Sequence, residues 1–77
     1  VRFFTRVADR PGGLAALLAA VAEAGANVLG VDHVRDGVPL GPRETGLDVT
    51  AEIRSAGHAH ELVATLRTAG YDVTVHT

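Results

Sequence analysis

Four short β-rich segments and two alanine-rich amphipathic helices, in the order βαββαβ, predict an α+β domain in which a four-stranded antiparallel sheet carries both helices on one face, the ferredoxin-like arrangement. Three observations carry this expectation. Each apolar helical stripe is closed by a glycine, at Gly25 and at Gly70, a period-two alternation runs from Glu44 to Ile53, and a Pro- and Gly-rich turn separates the second strand from the third.

Val1 to Val7 reads as the first strand, with Val1, Phe3, Thr5 and Val7 on one face and Arg2, Phe4 and Arg6 on the other, Phe4 being the exception to simple alternation. Asp9-Arg10-Pro11-Gly12-Gly13 breaks it. Asp9 offers a carboxylate to backbone N–H groups and Pro11 suits a first helical turn, so a helix is expected to start there. Leu14, Leu17, Leu18, Val21 and Ala22 then form one apolar stripe, which Gly25 ends. Asn27 to Arg35 is β-branched and apolar, and predicts a second strand with Leu29 and Val31 on one face, Val28 and Val34 on the other, and cover on both.

Asp36-Gly37 and Pro39-Leu40-Gly41-Pro42 predict a loop. In the third strand Thr45, Leu47, Val49, Ala51 and Ile53 alternate with polar residues, one face dry and one wet. Ser55 or Gly57 opens a second helix with Ala59, Leu62, Val63 and Leu66 on one stripe, and Tyr71, Val73 and Val75 make the last strand. Two helices cover only one face of such a sheet, so the other face and the edge strands are open to solvent or to another chain.

At 8.0 kDa the chain is a single domain, 1–77, which buries roughly 60–65% of its unfolded surface. It has no cysteine, which excludes disulfides and thiolate metal sites, and no lysine, which excludes a Schiff base with a carbonyl substrate or with pyridoxal phosphate. A net charge of −2, scattered arginines and only Phe3, Phe4 and Tyr71 as stacking groups argue against nucleic acid. The longest apolar stretch, Leu14 to Ala22, is nine residues, against the ~20 that span a bilayer, and no signal peptide is visible. A soluble, cytoplasmic protein is expected, and a start at Val1 fits a processed chain or a piece of a longer polypeptide.

Few residues suit catalysis. His33, His58, His60 and His76 share no metal-ligand spacing and are expected to be solvated, while Ser55, the only serine, is best used as a helix cap. Asp48 and Glu52 lie on a polar strand face, and no carboxylate pair is placed for acid–base work. Gly12-Gly13 would let a ligand approach backbone N–H groups at the positive end of the first helix, and a small carboxylate suits that space better than a nucleotide; a tight turn with close packing is the structural alternative. Asn27 carries both a donor and an acceptor, enough to hold the carboxylate and ammonium of an amino acid, or simply to finish a helix turn.

Asp9-Arg10-Pro11-Gly12-Gly13-Leu14, followed by Gly25-Ala26-Asn27-Val28 within βαββαβ, resembles the ACT domain family over essentially the whole chain. The stretch Ala24 to Leu29, with Val31-Asp32-His33 and the Val38-Pro39-Leu40-Gly41 loop, is most similar to the C-terminal regulatory domain of threonine dehydratases. The resemblance implies a non-catalytic sensor that binds an amino-acid effector between paired domains and alters a linked enzyme, with no cofactor in this chain, since the pyridoxal phosphate of such an enzyme would sit on a lysine elsewhere. It implies effector contacts at Asp9, Gly12, Gly13 and Leu14, and at Asn27, Val28 and Leu29. Some amino-acid-binding members have Asn in place of Asp9, and a carboxylate there favours an ammonium group or a helix cap over the effector's own carboxylate.

The expected partners are the effector and a second copy of the chain, through a sheet edge or the open sheet face. Three alternatives compete with the sensor. They are a structural dimerisation module with no effector, an RNA-recognition domain, which the aromatic-free strand Glu44 to Ile53 argues against, and an acyl-phosphate hydrolase resting on Arg10 beside Gly12-Gly13.

Overall fold

The computed structural model describes residues 1–34 and 40–76. Its elements are β1 (Arg2–Ala8), α1 (Gly13–Glu23), β2 (Asn27–Val34), β3 (Glu44–Glu52), α2 (Ala56–Thr68) and β4 (Val73–Val75), and the sheet order is β2-β3-β1-β4 with every neighbouring pair antiparallel. The predicted βαββαβ order and α+β architecture are those of the protein. Arg35 and the expected loop residues Asp36 to Pro39 lie outside the described residues, which takes in part of the Val38-Pro39-Leu40-Gly41 loop.

The core lies between one sheet face and the helices. Phe3 and Val7 of β1, Leu47, Val49 and Ala51 of β3 and Val73 of β4 pack with Leu17 and Val21 of α1 and Leu62, Val63 and Leu66 of α2. Of the two predicted stripes, Leu17, Val21, Leu62, Val63 and Leu66 are buried, Leu14, Leu18 and Ala59 are half-buried, and Ala22 is exposed. Gly25 and Gly70 close the helices with φ of 82° and 100°, as the sequence predicts. Thr5 is fully buried in this core and its hydroxyl has no hydrogen-bond partner.

On the opposite face, Arg2 lies 3.5 Å from Asp48, whose other oxygen is 2.7 Å from Nε2 of His76, and Arg6 pairs with Asp72. Phe4 also sits here, and Gly46 explains it: a Cβ at residue 46 would lie 2.9 Å from the Phe4 ring and 2.5 Å from the Val34 carbonyl oxygen. The apolar interruption in β1 is thus a ring lying over a glycine of the neighbouring strand.

Four expectations are corrected. The first helix begins later than Pro11, at Gly13, behind an N-cap Gly12 with φ of 87° and no side-chain cap. Asp9 is exposed and caps nothing, because the chain first turns through Arg10 N–H to Ala8 O and Gly13 N–H to Arg10 O. In β2 the register shifts between Val28 and Gly30, so Val28 opposes Ala51 and Val31 opposes Val49, both on the core side, while Leu29 falls in the bulge and is 60% exposed. One inserted residue reverses the face of every later side chain in the strand, and this edge strand is largely exposed instead of covered on both sides. His58, expected in solvent, is buried at 3% exposure.

Candidate functional site

The first loop shapes a depression of about 590 Å³ whose lining includes Arg6, Arg10, Gly12, Gly13, Gly70 and Tyr71. The two glycines have different tasks. Gly12 takes a left-handed conformation with open space where a Cβ would stand, whereas a Cβ on Gly13 would lie 2.3 Å from the Ala8 carbonyl oxygen. Gly13 therefore lets α1 pack against the end of β1, and its N–H is already given to Arg10 O at 3.1 Å. Gly12 leaves the helix entrance open to the depression.

No acidic residue occupies the first turn of α1 and Arg10 borders the same space, while Arg6 beside it is paired with Asp72, so the helix end and Arg10 are what an anion would meet. The α2–β4 turn, Ala69-Gly70-Tyr71, completes the wall. Sequence reasoning missed that contribution, although topology signals it: β4 pairs with β1, so the turn before β4 must lie beside the turn after β1.

The remaining predicted residues are placed elsewhere. Leu14 and Val28 are half-buried and pack against the core, Asn27 is exposed at the start of β2, and Leu29 is exposed in the bulge. Ala8 pairs with Glu44 at the start of β3, and Asn27 pairs with Glu52 at its end. At ~3.3 Å per residue, the first-loop group and the Asn27 group are roughly 26 Å apart along the sheet. The two groups of predicted residues therefore lie at opposite ends of one sheet, and no molecule the size of an amino acid touches both.

The ACT domain family model matches residues 1–70. The chain belongs to the ACT domain family. It is 42% identical over 73 residues to the L-threonine ammonia-lyase of Thermotoga maritima, a match that takes in 92% of this chain and 18% of that protein, so the chain spans less than a fifth of its curated relative. Among solved structures, the regulatory subunit of aspartate kinase from Thermus thermophilus, in its ligand-free form, superposes with a TM-score of 0.70 at 22% identity, over 99% of this chain and 49% of that one. An ACT domain protein from Streptococcus pneumoniae gives 0.53 at 15% identity, over 97% of this chain and 85% of that one. At such identities the likeness is one of fold. Among the described residues of this ACT domain, no helix is long and apolar enough to cross a membrane, and no group of three His, Cys, Asp or Glu is gathered as a metal would need.

Proposed function

We propose that this ACT domain senses an amino acid at a site shared between two chains, the first-loop depression of one meeting the β2 start of the other, and so controls a linked enzyme of amino-acid metabolism, a threonine dehydratase. The observation that carries the reading is the separation of two incomplete half-sites at opposite ends of one sheet. In this arrangement the open α1 entrance and Arg10 receive the effector carboxylate, and Asn27 of the other chain supplies a donor and an acceptor to the rest of the backbone. Similarity to a threonine ammonia-lyase supports the choice of enzyme class.

Regulation follows from differential affinity. An effector that bridges two domains favours whichever subunit arrangement brings the half-sites together, typically by about 1–3 kcal/mol. Isoleucine, valine, threonine and serine all suit a mixed polar and aliphatic site, since one methylene changes affinity by only ~1–3 kcal/mol.

The test is calorimetric titration of the chain with these four amino acids, with assembly followed by light scattering in the same samples. Saturable binding of at least one, lost in Asn27→Ala while the assembly persists, is the expected result. A stable dimer that binds none of the four overturns the sensor reading and leaves a dimerisation module.

A further inference from the structure

His58 is buried, yet it belongs to neither the apolar core nor the first-loop depression. Its Nδ1 accepts the Arg54 backbone N–H at 3.0 Å, and its Nε2 lies 2.8 Å from the carbonyl oxygen of Ala24. A backbone N–H only donates and a carbonyl only accepts, so these partners assign the lone pair to Nδ1 and the proton to Nε2. Ser55, the α2 N-cap, accepts the His58 N–H at 3.1 Å. The result resembles a capping box with histidine in the place usually held by Glu or Gln, its reach-back bond landing on Arg54. Unlike a carboxylate, the ring has a second nitrogen, and that atom holds another element.

Ala24 is the C-cap of α1, and Gly25 and Ala26 lead from it directly to Asn27. A second observation puts the α2 entrance on this same turn: a Cβ at Gly25 would lie 3.2 Å from Nη1 of Arg54 and 3.6 Å from Nε2 of His58. We infer that His58 is a positioning residue for the Asn27 half-site, tying the α1–β2 turn to the capped start of α2 so that Asn27 enters β2 in one fixed orientation. The inference deepens the proposed sensor and rests on it for the meaning of Asn27, but the tie itself is a property of the chain.

Asn27 supplies its own reporter. The chain has no glutamine and no second asparagine, so the side-chain NH₂ of Asn27 gives one identifiable pair of signals in a ¹⁵N-labelled sample, and in His58→Gln and His58→Asn the added amide pair is told apart by its correlation to the side-chain carbons of residue 58. Three variants separate the two nitrogens: His58→Gln keeps a donor reaching toward Ala24, His58→Asn keeps only an acceptor near Arg54, and His58→Leu keeps neither. Ser55→Ala is the control, weakening the α2 cap without touching the Ala24 bond.

In the parent, long-range ¹H–¹⁵N correlations should find the His58 proton on Nε2. His58→Asn and His58→Leu should shift the Asn27 NH₂ signals and speed exchange of the Gly25 and Ala26 amides, whereas His58→Gln and Ser55→Ala should leave them near their original values. Should His58→Leu fail to fold, the Asn and Gln pair carries the test. An unmoved Asn27 in His58→Asn, or an equal movement in Ser55→Ala, overturns the positioning role. Where an amino acid binds the parent chain, its affinity should fall in His58→Asn and fall less in His58→Gln. If none binds, the sensor reading fails by itself, and the Asn27 signals still decide the role of His58.

Discussion

The two helices of this ACT domain start in opposite ways. At α2, Ser55 adopts an extended backbone and accepts the His58 N–H, and His58 returns a bond to Arg54, so side chains satisfy the helix start. At α1, Gly12 turns the chain through a left-handed conformation, no side chain caps the helix, and the entrance opens on a depression bordered by arginines. Neither first turn contains an acidic residue. The positive end of α2 is thus closed by hydrogen bonds while that of α1 is left for solvent or an anion. In two halves built on one plan, the capped start serves stability and the uncapped start is the one available for recognition.

The sharpest way to break this comparison is to put a methyl group at each entrance. In Gly13→Ala the new Cβ meets the Ala8 carbonyl oxygen at 2.3 Å, a backbone atom that cannot rotate aside, so α1 must move away from β1. Overpacking of this kind costs ~1–3 kcal/mol. For a domain of this size, each kcal/mol lowers the melting temperature by about 4–8 °C, which differential scanning calorimetry resolves readily. An unchanged melting temperature would show that the α1 entrance is looser than its packing against Ala8 implies.

Removing the cap at the other entrance should have the next largest effect. Ser55→Ala leaves the His58 N–H without its side-chain acceptor, and the loss of such a cap costs about 0.5–2 kcal/mol in chemical denaturation. No serine or threonine stands at the α1 N-cap, so no equivalent substitution exists there. A cost near zero would mean that the His58 bonds alone hold the start of α2.

Much of this asymmetry is legible in the sequence, and the parts that are not share a cause. The glycines at residues 25 and 70, the alternation of β3 and both apolar stripes each express a local rule, and each element forms where its rule puts it. Leu29 defeats the same reasoning. Its alternation with Val31 looks regular, and only the neighbouring Gly30 hints at a bulge, because the register of an edge strand is set by pairing with β3. His58 is hidden in a similar way: the Ser55-x-x-His58 spacing is that of a capping box, but the partner that buries the ring, Ala24 O, lies 34 residues away. Of the candidate residues named from the sequence, Gly12 and Gly13 line the first-loop depression and Asn27 stands at the far end of the sheet. That separation was not legible, since it depends on β1 and β2 flanking β3 and meeting opposite ends of it.

The smallest expected effect has the opposite sign. Gly57 lies in the first turn of α2, and a Cβ there would meet only the Ser55 Oγ at 3.7 Å, an ordinary contact, so Gly57→Ala adds no clash and removes backbone freedom from the unfolded chain. Glycine within a helix is worth roughly 0.5–1 kcal/mol less than alanine, so a gain of up to that size is expected in urea unfolding. The same chemical change then destabilises at Gly13 and stabilises at Gly57, because one glycine admits a neighbouring backbone and the other admits nothing. If Gly57→Ala also destabilised the domain, the closed α2 entrance would depend on the flexibility of Gly57 as well as on Ser55 and His58, and the contrast between the two helix starts would narrow to the bonds of those two side chains.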